Sequence, residues 1–311
     1  MSLKRIQLGS TDVGKRLDRV LVERVGGVAR SDARRFFSEE RVVVVASSGK
    51  RRRGRKGDLV CQGDVLEVRV NWHELERRAL PDSDAPLRVL FQDEHVVVID
   101  KPAGQPSAPL RTAERGCVAN ALLARFPEME SIGYDPREPG LCHRLDVDTS
   151  GALLAARSEE AFGRLTAGLR GGAITKRYLL LCASAGLDDQ GSINCAVAPH
   201  PGDRRRMMVC KDGDMKRYKG RAAKTTYRVL DRKGAIAIVE ASVPCAQRHQ
   251  IRVHFASIGH PLIGDRLYRG SSGAARHALH ASAIGWKGDD LIAPFVVNCP
   301  LPAEMRAIIG P

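Results

Sequence analysis

Apolar residues recur along this chain at two spacings, and the change of spacing marks the elements. Leu17, Val20 and Leu21 fall at helical intervals within 14–24, with basic residues on the other faces, which predicts a short amphipathic helix. Ser31 is placed as an N-cap for a second helix, Asp32 to Glu39, with Phe36 and Phe37 as apolar anchors and Arg34 and Arg35 facing outward. Val42 to Val45 reads as a strand. After the basic run Lys50 to Lys56, turns at Gly57-Asp58 and Gly63-Asp64 lead into an alternating strand from Val65 to Val68. Residues 73–86 are polar and interrupted by proline, which is linker composition.

Beyond the linker the two-residue period dominates. Strands are predicted at Leu87 to Phe91 and His95 to Ile99, joined through Gln92-Asp93-Glu94, and again at Ala152 to Ala155, Arg177 to Leu181, Thr225 to Leu230 and Ala235 to Val243. Helices are predicted at Val118 to Arg125, Glu159 to Leu169 and His249 to Ile258, the last ended by Gly259. Strands linked by turns and helices without strict alternation indicate an α+β fold with a mixed, mainly antiparallel sheet. The chain thus divides into a small N-terminal α/β domain (1–72), a linker (73–86) and a larger domain (87–311).

Charge narrows the partner. The chain of 311 residues carries a net charge of +14, more than half of it within residues 1–70, and a second basic concentration lies at 198–228. Two separated basic zones suit an extended polyanion, and aromatic residues at 5% leave binding to rest on phosphate contacts more than on stacking. The eight cysteines form no Cys-x-x-Cys pair, so no metal site is expected, and no Gly-rich phosphate loop calls for a nucleotide cofactor. Met-Ser-Leu-Lys-Arg-Ile-Gln has no apolar signal core, and no run of apolar residues is long enough to span a bilayer. The expectation is a cytoplasmic monomer with reduced thiols, no membrane association and no cofactor.

Two strings carry the chemistry. The first, His143-Arg144-Leu145-Asp146-Val147-Asp148-Thr149-Ser150-Gly151, puts a carboxylate beside a permanent cation, between an apolar residue and a turn. Asp146 can there be held ionised and aimed. Asp146 with Asp148 could suggest the paired acids of a glycosidase, but no further acid or sugar-site signature accompanies them. The second string, His249-Gln250-Ile251-Arg252-Val253-His254, places Arg252 on a helix, with Gly259-His260-Pro261-Leu262-Ile263-Gly264-Asp265-Arg266-Leu267-Tyr268 after it.

Together these resemble the RluA-type pseudouridine synthases, whose active-site motif is His-Arg-Leu-Asp-x-x-Thr-Ser-Gly and whose second signature is His-Gln-Ile-Arg-x-His followed by Gly-x-Pro-x-x-Gly-Asp-x-x-Tyr. Lys101-Pro102-Ala103-Gly104 resembles the family's Lys-Pro-x-Gly turn, and Lys176-Arg177-Tyr178 its Lys-x-Tyr strand. His277-Ala278-Leu279-His280-Ala281 is similar to its C-terminal Leu-His-Ala, where a satisfied core histidine is expected. Residues 14–70 resemble the S4 RNA-binding domain. One departure stands upstream of the second signature, where Ala246-Gln247-Arg248 replaces the usual Gly-Arg-x.

The resemblance implies a catalytic domain with a central RNA-binding cleft, in which Asp146 is the catalytic carboxylate, Arg252 its partner and Tyr178 the residue against the target base. Tyr178 is also the candidate base for the C5 proton, and Arg252 is expected to hold Asp146 through two parallel bonds. His143, Arg144, Thr149, Lys101, His249, Gln250 and Lys176 are expected to bind substrate, and Arg16, Arg34, Arg35, Arg51, Arg52 and Arg53 to meet RNA from the S4-like unit. Large-subunit ribosomal RNA is the expected substrate, with transfer RNA as the main alternative. A non-catalytic ribosome-binding protein would need neither Asp146 nor Arg252. The small-subunit type of synthase has Gly at the position of His143 and lacks the second signature.

Overall fold

The computed structural model describes residues 2–25, 28, 30–70, 78–111, 113–211 and 213–310, with only the backbone described at 30–32 and 34. The chain forms two compact units, Met1–Arg78 with Leu110–Ala113, and Ala79–Pro109 with Glu114–Pro311.

The first unit is a four-stranded antiparallel sheet with two helices. Strands β1 (Ser2–Gln7), β2 (Val42–Val45), β3 (Arg51–Arg53) and β4 (Val65–Val70) lie in the order β1-β4-β2-β3. Helices α1 (Leu17–Arg24) and α2 (Arg30–Ser38) supply Leu17, Val20, Leu21 and Phe36 to a core completed by Val42, Val44, Leu66 and Val68. Helix α2 begins at Arg30, ahead of the expected Ser31 cap. The side chains of Ser31 and Arg34 lie outside the described residues. Arg35, expected to face outward, is half-buried, with its guanidinium 5.9 Å from the Phe36 ring. Strand β1 went unforeseen because its burial alternates only weakly on an edge.

The second unit is built on a nine-stranded sheet. Strands β5 (Arg88–Gln92), β6 (Val96–Lys101), β7 (Ser150–Ala156), β8 (Ile174–Ala183), β9 (Gln190–Asn194), β12 (Lys224–Lys233), β13 (Ile236–Ser242) and β14 (Leu279–Trp286) run in the order β5-β6-β7-β14-β8-β13-β12-β9, and β15 (Phe295–Asn298) also pairs with β14. All ladders are antiparallel except β7 with β14. Strands β10 (Val197–Pro199) and β11 (Met207–Val209) form a separate hairpin. Helices α3 (Val118–Arg125), α4 (Glu159–Gly171), α5 (Asp214–Arg217), α6 (Gln250–Ser257) and α7 (Ala303–Ile309) complete the unit.

Each strand and helix expected beyond residue 86 is present, with ends displaced by a few residues. The central strand β14 was not foreseen. It is buried on both faces, so it shows no alternation to read.

The expected linker needs correction. Residues 71–77 lie outside the described residues, but from Ala79 onward the chain is part of the second unit. The Ala79 N–H donates to the Pro136 carbonyl at 2.9 Å, Asn120 Nδ2 donates to the Leu80 carbonyl at 2.7 Å, and Asp82 accepts from the Gly116 N–H at 2.9 Å. Its backbone groups find partners on α3 and nearby loops, so proline here marks an extended, docked segment.

Candidate active site

Asp146 lies on the irregular segment that leads into β7, and the backbone on both sides of it is fixed by buried side chains. The Ser107 hydroxyl donates to the Leu145 carbonyl at 2.9 Å and accepts from the Leu145 N–H at 3.1 Å. The Val147 carbonyl accepts from the Gly104 N–H at 2.9 Å and from Lys101 Nζ at 2.8 Å, and Arg276 Nη1 donates to the Asp148 carbonyl at 2.9 Å. Thr149 pairs with His277 at 2.8 Å and Ser150 with His280 at 2.9 Å. At Gly151, where φ is +114°, a Cβ would come within 2.3 Å of the Ala281 carbonyl oxygen, so only glycine lets β7 approach β14. The Asp146 segment is therefore set by the fold itself.

Arg252 comes from α6. Its Nη1 donates to Asp146 Oδ2 at 2.9 Å, while Nε and Nη2 grip Asp265 at 2.7 and 2.9 Å. The expected two-bond grip on Asp146 is therefore corrected to a single bond, because the paired edge of the guanidinium is spent on Asp265. Asp265 is fully enclosed, and its Oδ1 also accepts from the Tyr268 N–H at 3.3 Å. Burial disfavours the Arg252 charge, but bonds and attraction to both carboxylates outweigh it and raise its pKa.

His249, in the left-handed region at φ 53°, caps α6 and stands 3.7 Å from Asp146 Oδ2 through Nε2. Its Nδ1 meets the Tyr268 hydroxyl at 3.0 Å, and that hydroxyl already accepts from the Met207 N–H at 2.7 Å. The tyrosine proton is thus free to go to Nδ1, which leaves the imidazole proton on Nε2, facing Asp146.

Burial acts to raise the Asp146 pKa, but the charges of His249 and Arg252 and the Arg252 hydrogen bond outweigh it and hold the carboxyl below its usual range. Burial first, with Arg252 adding to it, pulls His249 down to about 4, so at neutral pH Arg252 is the cation that acts on Asp146. Asp146 keeps a quarter of its side chain exposed, on a pocket that it shares with Thr149, Tyr178, His249, Arg252 and Leu279. An ionised, oriented carboxylate in such a pocket can act as a nucleophile or as a base.

Tyr178, on β8, reaches this pocket as expected, but its electrostatics oppose a role as base. Burial and then the Asp146 charge push the phenol up, so it stays protonated at neutral pH and offers its ring as a wall.

Several residues expected to contact substrate also hold the frame. Lys101 is fully buried and spends its donors on the carbonyls of Pro102, Gln105 and Val147, at 2.9, 2.7 and 2.8 Å. Gln250 accepts from the Gln247 N–H at 2.9 Å and donates to the Lys224 carbonyl at 2.9 Å and to Thr225 Oγ1 at 3.1 Å. His143 Nε2 accepts from the Leu154 N–H at 3.1 Å, which ties the segment to β7. Arg144 is exposed and paired with Glu138 at 2.6 Å, not with Asp146. Thr149 faces the pocket but is bonded to His277, and Lys176 lines a neighbouring cavity. His277 and His280 are buried and bonded, as expected of core histidines.

In the first unit four of the six arginines expected to meet RNA are exposed but paired: Arg16 with Asp18 at 3.0 Å, Arg53 with Glu40 at 2.5 Å, Arg51 with Glu67 and Arg52 with Asp58. Asp265, Tyr268, Ser107 and Arg276 were missed as site residues. Asp265 and Tyr268 stood inside the quoted second signature, which was the available signal, while Ser107 and Arg276 lie just outside the quoted strings.

Among the described residues no cluster of His, Cys, Asp and Glu could hold a metal ion, and no helix is long and apolar enough to cross a membrane. The sequence model of the family described as RNA pseudouridylate synthase matches residues 95–257. An uncharacterized RNA pseudouridine synthase of Synechocystis is 32% identical over 96% of this chain and 89% of its own length. The ribosomal large subunit pseudouridine synthase D of Xylella fastidiosa is 35% identical over 82% of this chain and 78% of its own. In fold, the chain is similar to human RNA Pseudouridylate Synthase Domain Containing 1, with a TM-score of 0.57 at 24% identity, covering 73% of this chain and 89% of that one. Motif, geometry and relatives agree: the chain belongs to the RNA pseudouridylate synthase family.

Proposed function

We propose that this protein isomerises uridine to pseudouridine in large-subunit ribosomal RNA, with Asp146 as the catalytic carboxylate. The observation that carries the assignment is the 2.9 Å bond from Arg252 Nη1 to Asp146 Oδ2 in a pocket walled by Tyr178. The choice of RNA is supported by relatives named ribosomal large subunit pseudouridine synthase D, from Xylella fastidiosa and Xanthomonas campestris.

The reaction breaks the bond from ribose C1′ to N1, turns the uracil and joins C1′ to C5; N1 gains a proton and C5 loses one. Asp146, kept ionised, either attacks the sugar or takes a ribose proton, and Arg252 holds its oxygen in place without competing for the proton. The neutral Tyr178 ring packs against the uracil while it turns. A water or the carboxylate then receives the C5 proton. The uridine has to leave its stack to reach this pocket, at a cost of a few kcal/mol. The cleft around Asp146 and the basic first unit, read as an S4 RNA-binding domain, offset that cost through phosphate contacts.

The test is a map of pseudouridines in the RNAs of a strain lacking the gene, complemented with the parent or with Asp146→Asn. Loss of specific large-subunit positions, restored only by the parent, is expected. Loss confined to transfer RNA would redirect the substrate, and restoration by Asp146→Asn would support a non-catalytic ribosome-binding role instead.

A further inference from the structure

Beside the Asp146 pocket lies a larger cavity of about 570 Å³, and the two share Arg144, Ala246 and Gln247 along their common border. On its floor is Lys176. Lys176 and Tyr178 are both buried while Thr175 and Arg177 between and beside them are exposed, so the lysine shares the tyrosine's face of β8, about 7 Å along the strand. The residue is only 6% exposed, and its ammonium makes no hydrogen bond or ion pair with a described residue. Burial pulls its pKa to about 8, and it is still mostly protonated at neutral pH. An ammonium largely withdrawn from water, open to a cavity and without a counter-ion, favours an anionic ligand.

The rest of the cavity fits one kind of anion. Asp135 and Glu138 also line it, but Asp135 is taken by Arg137 at 2.5 Å and Glu138 by Arg144 at 2.6 Å, which leaves Lys176 and Arg170 without a carboxylate, Arg170 lying over the Tyr134 ring at 6.0 Å. Tyr134 stands on the rim with 73% of its surface exposed, although it is an aromatic residue on a held loop. Its ring meets that of Phe162 in a T-shaped contact at 4.9 Å, and Gly133 before it is anchored by a 2.9 Å bond to Glu159. A cationic floor with an exposed aromatic rim matches a phosphate joined to a base, and the volume lies within the range of small-molecule sites.

We propose that this cavity is a subsite for the nucleotide adjoining the target uridine, with Lys176 taking the intervening phosphate and Tyr134 stacking the neighbouring base. The proposal rests on the reading of the chain as an enzyme acting on RNA. It assigns Lys176 to the strand beside the target, and it makes the identity of the neighbour matter less than its presence, because any base can stack.

The experiment uses the full-length protein and an RNA hairpin that contains one converted uridine, prepared as a series in which each phosphate near the target is replaced singly by a neutral methylphosphonate. Affinity across a salt series and pseudouridine formation are both measured for the parent, Lys176→Gln, Lys176→Arg and Tyr134→Ala. One neutralised phosphate next to the target is expected to weaken the parent and Lys176→Arg about tenfold. Lys176→Gln is expected to bind about tenfold more weakly than the parent, to be indifferent to that same replacement, and to lose about 0.7 of the salt slope. Tyr134→Ala, at an exposed position that puts folding at little risk, is expected to bind about tenfold more weakly and to be indifferent to an abasic neighbour. If Lys176→Gln keeps the parent's salt slope and its sensitivity at every phosphate, or if Tyr134→Ala binds as the parent does, the subsite is wrong while the enzyme reading stands. If the parent converts no uridine in any RNA, the enzyme reading itself fails and the subsite falls with it.

Discussion

Arg252 reaches Asp146 through Nη1 alone, at 2.9 Å, because the other edge of its guanidinium is locked onto Asp265 at 2.7 and 2.9 Å. The flat fork is fixed by one carboxylate so that its remaining donor is aimed at the other. Orientation at the Asp146 oxygen is therefore set from behind, by the buried Asp265.

Arg252→Lys is expected to be far from conservative, since one ammonium cannot meet both carboxylates in these directions. Turnover should fall about 100-fold or more while RNA affinity changes only a few fold. Asp265→Asn keeps the shape and removes the charge behind Arg252, so a smaller loss in turnover, about tenfold, is expected from single-turnover rates. Full turnover in the lysine variant would show that the pairing with Asp146 is not needed.

The pH dependence of stability and of rate should separate. Burial pulls His249 and His277 to about 4 and His143 to about 3, all below the ordinary 6.5. The unfolded chain therefore takes up protons that the folded chain refuses, so the stability these rings contribute is complete above about pH 6.5 and is lost as pH falls toward 4. Tm should drop between about pH 7 and pH 5. The Asp146 carboxyl, already below its usual range, stays ionised across that window. Single-turnover rates measured well below Tm should then be flat from about pH 5 to 7, and an acid limb centred near pH 6 would place a histidine in the proton transfers.

Gly151→Ala should destabilise the second unit, because the new Cβ would meet the Ala281 carbonyl at 2.3 Å on a backbone with φ +114°. A loss of about 1–3 kcal/mol is expected in denaturant unfolding, with turnover reduced as the Asp146 segment shifts. An unchanged midpoint would mean that β7 and β14 tolerate separation.

Replacing Arg51, Arg52 and Arg53 together by Gln tests the first unit. If they neutralise phosphates, the salt dependence of binding to long structured RNA should flatten by about 2, from 0.7 to 0.9 per contact. Single-turnover chemistry on saturating RNA should persist. An unchanged slope would mean that their pairs with Glu67, Asp58 and Glu40 are kept in the complex.

Much of the site was legible because it is local. Asp146 and the turn after it sit in one string, and Arg252 in another, and the resemblance of both strings to one family implied their pairing. Asp265 was legible as a letter but not as a partner, since its contact with Arg252 exists only once the chain after Gly259 folds back on α6. Lys101, His143 and Gln250 were legible only in part for a related reason. A motif records that a polar side chain is required, not whether it faces substrate or the backbone, and all three bond to backbone groups, while Gln250 also lines the Asp146 pocket and His143 the cavity beside it. In the fold, amphipathic elements announced themselves by period, whereas β14, buried on both faces, had none to show.

The central claim is that the Asp146 charge drives the isomerisation, and it is tested most directly by tritium release from C5-labelled uridine in unmodified large-subunit ribosomal RNA, comparing the parent with Asp146→Asn under single-turnover conditions. The account predicts release by the parent and a loss of at least about 1,000-fold in the variant, with RNA affinity kept within a few fold, because only the charge has been removed. Release by Asp146→Asn within tenfold of the parent would contradict it.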